Sequence, residues 1–312
     1  MEKYVVGVGG ANLDMHARSR NPVVMRDSNP SYMHTSAGGV TRNIIENLAR
    51  QGVSCKLLTA VGNDSFGDRI LRSCREAGVD VTRVYVSMDF PSSCYFALTD
   101  QVGDMLIGAS DMRIVENLPF EYLDENRELL QNAEAVVCDT NPSREFIEHM
   151  TEIVDGKTPI FIDPVSTTYS KKLEGLYERI YLAKPNLIEL EMLSGVNCAT
   201  DDGIRRAADI LLEKGLSCIA VSLGGRGCYY ADRQGRSLFR SLRRVETMTD
   251  ATGAGDAFMA GLVHGWCAGM EPEGFIEYAL ASGIIAVNST ETINPDMSDA
   301  LVKATIEEYR IV

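Results

Sequence analysis

The sequence predicts an α/β fold: a central, mostly parallel sheet with helices on both faces, plus a small β lid. Three observations carry this. Short apolar runs alternate with stretches of helical periodicity along most of the chain. Two stretches interrupt the alternation: 11–36 is polar and extended, and 81–110 reads as consecutive strands. The last third is rich in helical pattern. Strands alternating with helices imply a parallel sheet covered on both sides.

Strands are expected at Tyr4–Val8, Lys56–Val61, Ala135–Cys138, Ile160–Ile162, Arg179–Leu182 and Cys218–Ser222. Val40, Ile44 and Leu48 fall four apart, on one face of a helix. Ile70, Cys74 and Ala77 repeat that pattern, as do Ile204, Ala207, Ile210 and Leu211. Cys94–Leu98 and Met105–Ala109 flank a turn that contains Gly103-Asp104, which reads as a hairpin. Such a flap either covers a ligand or is an ordinary peripheral hairpin. Ala254–Cys267, Phe275–Val287 and Ser298–Tyr309 complete the expected helices. The whole chain, 1–312, reads as one domain, with no internal repeat.

Composition narrows the function. A 45% apolar and 24% charged chain is ordinary for a globular protein. The formal net charge of −14, without a basic block, argues against sequence-independent nucleic-acid binding, which needs a basic surface. No apolar run reaches the roughly 20 residues of a membrane helix. The start of the chain lacks the apolar core of a signal peptide, so the expected location is cytoplasmic. The eight cysteines form no CxxC pair and the four histidines show no metal spacing; reduced, buried thiols are expected.

Two apparent nucleotide motifs fail. Gly156-Lys157-Thr158 has Thr151 where a P-loop needs its first glycine, and Pro159 with a strand follows. Gly7-Val8-Gly9-Gly10-Ala11-Asn12 puts Asn12 where a dinucleotide fingerprint has glycine, and no helix follows.

The strongest signal is Asp250-Ala251-Thr252-Gly253-Ala254-Gly255-Asp256-Ala257-Phe258, followed by an apolar helix. Gly253, Ala254 and Gly255 leave the N–H groups of a helix start open to an anion, and the helix dipole favours negative charge there. Such amides stabilise the charge spread over a phosphoryl group in transfer. Asp256 sits beside that charge, where a carboxylate is awkward unless it accepts a proton from an attacking hydroxyl. The alternative is an acid that only complements the dipole.

Other signals are weaker singly. Ser36 through Asn43 opens the first long helix with Gly38 and Gly39. Asn43 there either contacts hydroxyls as donor and acceptor or caps the helix. Asn12 and Asp14 follow the first strand, where a carboxylate suits the vicinal hydroxyls of ribose or serves a turn. Asn186 and Glu189 lie one turn apart, facing a hydrated Mg²⁺ and phosphates, or capping a helix. Ser222, Gly224, Gly225 and Gly227 form a glycine turn suited to ATP or to a plain hairpin. Asp163 ends a strand and is a candidate to support the metal through water.

Together these residues resemble the ribokinase-like (PfkB) family of sugar and nucleoside kinases over essentially the whole chain. The match rests on Gly38, Gly39 and Asn43, on Gly62-Asn63-Asp64 with Gly67, and on Asp250 through Phe258. Ala251 and Gln51-Gly52 depart from the usual pattern. The resemblance implies ATP and Mg²⁺ as cofactors, with Asp256 as the base and Gly253, Ala254 and Gly255 as the anion hole. It implies sugar contacts at Asn12, Asp14, Gly38, Gly39 and Asn43. ATP contacts follow at Asn186, Ser222, Gly224, Gly227 and Gly255, with Asn288 on the adenine side. Asp250 and Thr252 match part of a K⁺ site. The segments Gly9–Asp14, Asp27-Ser28-Asn29-Pro30 and Gly39–Ile44 most resemble the pseudouridine kinases of the family. That points to a nucleoside base read by Ser28 or its neighbours, or by Thr140 and Asn141. A homodimer joined through the lid is also expected, because an apolar edge strand is a liability in a monomer. The rival readings are another sugar or nucleoside kinase of the fold, and a sensor that has lost catalysis.

Overall fold

The computed structural model describes residues 3–241 and 253–309. Its main sheet has eight strands in the order β14-β13-β12-β11-β10-β9-β1-β4. These are β1 (Val5–Val8), β4 (Cys55–Leu58), β9 (Ala135–Asp139), β10 (Ile160–Asp163), β11 (Leu182–Ala183), β12 (Cys218–Ser222), β13 (Cys228–Asp232) and β14 (Ser237–Arg240). All pairings from β4 to β12 are parallel, and β13 and β14 add an antiparallel edge. The expected α/β class, with a mostly parallel sheet, is observed.

The central strands are continuous apolar runs because both of their faces are covered. Side chains alternate between the two cores. Val6, Val8, Val136, Cys138, Ile160 and Ile162 belong to one core, with Phe146 and Met150 of α6 (Arg144–Val154) and Ile204 and Leu211 of α8 (Asp201–Glu213). Val5, Ala135, Val137 and Phe161 belong to the other. There they meet Ile44 and Leu48 of α1 (Val40–Arg50), α9 (Ala254–Cys267) and α10 (Pro272–Val287). The remaining helices are α2 (Ser65–Glu76), the short α3 (Arg113–Glu116), α4 (Phe120–Glu125) and α5 (Arg127–Gln131), α7 (Leu187–Ser194) and α11 (Asp299–Tyr309). Among the described residues, no helix is long and apolar enough to cross a membrane.

A second sheet of four strands runs β3-β2-β7-β8: β2 (Asn12–Ser19), β3 (Ser31–Gly38), β7 (Cys94–Thr99) and β8 (Met105–Asp111). The β7–β8 turn closes where Gly103-Asp104 marks it. Asp100 Oδ1 accepts from the N–H groups of Val102, Gly103 and Asp104 at 2.9, 2.9 and 3.0 Å.

Two expected strands differ. The run 56–61 is split at Thr59: β4 stays in the main sheet, and β5 (Ala60–Gly62) turns away to pair with β6 (Tyr85–Ser87). Thr59 fixes the break, its hydroxyl donating to the Gly9 carbonyl at 2.6 Å. β6 lies within 81–110 but is not part of the four-stranded sheet. The strand expected from Arg179 begins only at Leu182, because a 3₁₀ turn holds Tyr177–Arg179. β13 and β14 were not foreseen.

This topology gathers the polar residues. The carboxyl ends of β1, β9, β10, β11 and β12 share one edge of the sheet and lead into Asn12, Asp139, Asp163, Lys184 and Ser222. Asp139 and Asp163 are partners in register, and Asn186 bridges to Ser222. Ligands of open α/β sheets bind at this edge.

Candidate active site

Helix α9 begins at Gly253, whose φ of 79° is left-handed and whose missing Cβ avoids the Thr292 carbonyl. The first N–H groups of the helix have no acceptor within it. A Cβ on Gly255 would lie 3.2 Å from Lys184 Nζ, so an ammonium faces this helix start. Lys184 was not among the residues expected from sequence. Its cue is the chain order: a lysine follows a buried strand, immediately before Pro185 and Asn186. Its Nζ lies 2.9 Å from Asp163 Oδ2, with both side chains almost fully buried. Burial alone would lower the lysine's pKa, but Asp163's charge and hydrogen bond outweigh it and the pKa is raised.

Asp256, in the first turn of α9, accepts a 2.8 Å hydrogen bond on Oδ2 from Asn43 Nδ2. Its carboxyl is pushed up to about 7, first by burial and then by the negative charge of Asp163; the Asn43 hydrogen bond and Lys184 oppose the rise. A base is most effective when its pKa lies near working pH.

Sugar contacts are expected at Asp14 and its surroundings. Asn12 Nδ2 donates to Asp14 Oδ1 at 2.6 Å. Burial raises the Asp14 pKa, against the Asn12 bond and the charges of His16 and Arg42. Gly38 lies opposite Asn12 in the β2–β3 ladder, and any Cβ there would occupy the Asp14 carboxylate's space. Gly39 has φ 100°, and its Cβ would collide with the Gly10 carbonyl.

Asn43, expected either as a two-way partner for hydroxyls or as a helix cap, does not cap α1, whose N-cap is Gly39 with no side-chain hydrogen bond. Arg42 Nη1 donates to Asn43 Oδ1 at 2.7 Å while Nδ2 serves Asp256, so both ends of the amide are engaged.

Asp139, unforeseen, staples the loops together. Its Oδ2 accepts from the N–H groups of Gly10 and Thr41, each at 2.9 Å, and its Oδ1 from that of Asn141 at 2.8 Å.

Two base-reading candidates are corrected. Thr140 is fully buried and its hydroxyl donates to the Pro164 carbonyl at 2.7 Å, so it serves the scaffold. Ser28 is exposed beyond the far end of the β2–β3 hairpin, past the Ser19–Ser31 pair. At ~3.4 Å per residue that is roughly 24 Å along β2 from Asn12. Asp27 and Asn29 beside it bond within their own turn. Asn141 stays near the site, buried, with Nδ2 within 2.6 Å of a Cβ built on Gly10.

Where ATP contacts are expected, Asn186 and Glu189 form a reciprocal cap on α7: Asn186 Oδ1 accepts from Glu189 N and Glu189 Oε2 from Asn186 N, both at 2.9 Å. One amide nitrogen and one carboxylate oxygen remain. Glu189's pKa is raised, by burial first, and Asp163 adds to the rise. Two carboxylates within electrostatic reach fit Mg²⁺, which keeps most of its water and binds one or two protein carboxylates beside substrate phosphates. The glycine turn is a β12–β13 hairpin through Gly224–Arg226. Gly227, with φ 94°, is demanded by that turn because its Cβ would strike the Arg240 carbonyl. A Cβ on Gly224 or Gly225 would meet open space, although the φ of 58° at Gly224 still favours glycine. Asn288 caps α10 and is exposed. Asp250 and Thr252 lie outside the described residues. Among those described, no group of three or more His, Cys, Asp or Glu side chains is placed to hold a metal without help.

A cleft of about 530 Å³ between β3 and α2 is lined by Ser36, Arg69 and Arg72 among others, but by neither Asp14 nor Asp256. The polar residues gathered at the sheet edge are outside that cleft.

Comparison with known proteins bears on the family and the fold. The sequence model described as pfkB family carbohydrate kinase matches residues 2–300. Pseudouridine kinase of Escherichia coli K12 is 34% identical over 304 residues, covering 97% of this chain and 96% of that protein. A second protein of that organism, described as the uncharacterized sugar kinase YeiI, is 31% identical over 95% of this chain and 82% of its own length. The structure of Arabidopsis thaliana ribokinase complexed with ribose and ATP superposes with a TM-score of 0.88 at 21% identity, covering 98% of this chain and 99% of that one.

Proposed function

The chain belongs to the pfkB family of carbohydrate kinases, phosphotransferases with an alcohol acceptor, and we propose that it phosphorylates the 5′-hydroxyl of pseudouridine with ATP. The observation that carries the chemistry is Asp256, a carboxylate titrating at about 7 in the first turn of a helix whose open N–H groups face Lys184. The substrate reading is supported by the pseudouridine kinase that is 34% identical over nearly the full length of both chains.

In this reading Asp14 and Asn12 hold the ribose hydroxyls, and Gly38 and Gly39 let the sugar approach the backbone. Asp256 takes the proton of the 5′-hydroxyl as its oxygen bonds to the γ-phosphorus. The bond from that phosphorus to the β-phosphate oxygen breaks, and ADP leaves. Gly253, Ala254 and Gly255 stabilise the transferring group's oxygens through their N–H groups, and Lys184 adds a positive charge. Mg²⁺, when bound with the nucleotide, neutralises charge on the phosphates; water-bridged contacts to Glu189, Asn186 and Asp163 would hold it. Ser222, Gly224, Gly225 and Gly227 line the nucleotide, with Asn288 toward the adenine. Asp250 and Thr252 supply part of a K⁺ site. The whole chain acts as one kinase domain in the cytoplasm.

The four-stranded sheet serves as the lid, and we propose that two lids join in a homodimer. Met105, Leu106 and Ile107 on the edge strand β8 are 64%, 52% and 56% exposed, which supports this. A monomer by light scattering at micromolar concentration would contradict it.

A second reading, another sugar or nucleoside kinase of the same family, is favoured by the relative described as a sugar kinase at 31% identity. Incubating nucleosides and sugars with ATP and Mg²⁺, with products read by mass, separates the two. Pseudouridine should exceed uridine and ribose in kcat/KM by at least about tenfold, roughly 1.4 kcal/mol of transition-state discrimination. Equal values for uridine, or a preference for ribose or fructose, would move the protein to the second reading.

A further inference from the structure

We infer that Arg42 is a positioning residue. It fixes the Asn43 carboxamide with its NH₂ group toward Asp256, and it ties that arrangement to lid strand β3. The inference rests on Asp256 acting as the base.

Arg42 is buried, with 3% of its surface exposed, in the first turn of α1. Its Nη1 donates to Asn43 Oδ1 at 2.7 Å and to the Ala37 carbonyl of β3 at 2.6 Å. Its Nη2 is held by Glu46 and by Ser73 Oγ at 3.2 Å. Glu46 is held in turn by Arg50, whose Nη1 donates to the Pro295 carbonyl at 2.9 Å. A buried guanidinium is thus anchored on two helices and on the lid.

The consequence follows from donor and acceptor chemistry. The two ends of an asparagine amide have nearly the same shape, so the group can turn over and present either oxygen or NH₂. Facing an ionised Asp256, NH₂ is preferred. Facing a protonated Asp256, the oxygen can accept the new O–H, which stabilises the protonated base. A guanidinium has only donors. With Arg42 bonded to Oδ1, turning the amide would place NH₂ against N–H and break the 2.7 Å bond. Arg42 therefore denies the protonated base its acceptor and favours the ionised one. Because the same Nη1 also bonds Ala37, displacement of β3 loosens the hold on Asn43. The other charged groups facing Asp256 are Asp163, Lys184 and Asp139. Those facing Arg42 are Glu46 and Asp14, with the Cys74 thiol nearby.

The test is the pH dependence of kcat/KM in Arg42→Lys, Asn43→Ala and the double variant, using whichever acceptor the wild-type enzyme phosphorylates. Lysine keeps a cation beside Glu46 but loses the fork. Arg42→Lys should lower kcat about tenfold, shift the acid limb upward by at least about half a pH unit, and leave KM for ATP within about twofold. The double variant should shift the limb no further than Asn43→Ala alone. Loss of folded protein alone would lower activity at every pH and leave the limb in place. A folded Arg42→Lys with an unmoved limb, or additive shifts in the double variant, would overturn the inference. Full activity in Asp256→Asn would instead overturn the reading on which it rests. If Arg42→Lys proves too unstable to assay, Arg42→Gln with Glu46→Gln removes both buried charges and is held to the same limb shift.

Discussion

Lys184 and Asp163 form a buried ion pair, Nζ to Oδ2 2.9 Å, at the carboxyl ends of neighbouring parallel strands. The lysine lies in front of the α9 N-terminus, so it has two anions to serve: Asp163, and any phosphoryl group at the helix start. Lys184→Met should lower kcat by about 10²-fold or more, the scale of losing one donor to transition-state charge. Lys184 also holds the Asp256 pKa down, so the acid limb of activity should move up in the variant. Because an unpaired buried Asp163 costs about 3–5 kcal/mol, Lys184→Met with Asp163→Asn is the better-folded comparison. Wild-type kcat in either would remove Lys184 from the chemistry.

Gly38→Ala should raise KM for the acceptor while leaving KM for ATP unchanged. The new methyl takes the space of the Asp14 carboxylate, and the ladder opposite Asn12 gives it nowhere else to go. Asp14→Ala should act in the same direction, by about 10²-fold in kcat/KM, since a site built to bond hydroxyls discriminates strongly when a partner is missing. Equal rises in both KM values would mean general loosening and not loss of the sugar contact.

Asp256→Asn should stabilise the protein at pH 8. The carboxyl titrates at about 7 in the folded chain, against an ordinary value of 3.8. Folding therefore favours its protonated form: its stabilising contribution is complete below about 3.8 and is lost as pH rises through about 7. Removing the charge relieves that loss at pH 8, and the gain shrinks toward pH 4. Thermal melts of both forms across this range check it; a variant less stable than wild type at pH 8 would contradict it.

The sheet class, the glycine-rich start of α9 and the placing of Asn12 and Asp14 after the first strand were legible in the sequence because each depends on neighbours in the chain. Lys184, Asp139 and Arg42 were not. Lys184 and Asp139 follow or end apolar strands, and only the stacking of strands distant in sequence brings them to one edge. Asn186 and Glu189 show a different limit: the spacing that faces a metal is the spacing of a helix cap, and the cap is made. Ser28 shows a third. A cluster of Asp, Ser, Asn and Pro is turn chemistry first, and here it closes a hairpin far from Asp14. Nothing local marks how long β2 and β3 run before that turn.

The most direct test is the turnover of Asp256→Asn with ATP, Mg²⁺ and pseudouridine, alongside nucleotide binding measured by titration. Asparagine keeps the shape and can still meet the Asn43 amide, but it cannot take a proton. Loss of a general base costs about 10²–10⁴-fold, so kcat should fall by at least that range's lower bound while ATP binds as in the wild type. A variant that retains more than about a tenth of wild-type kcat, against that expected range, would contradict Asp256 as the base.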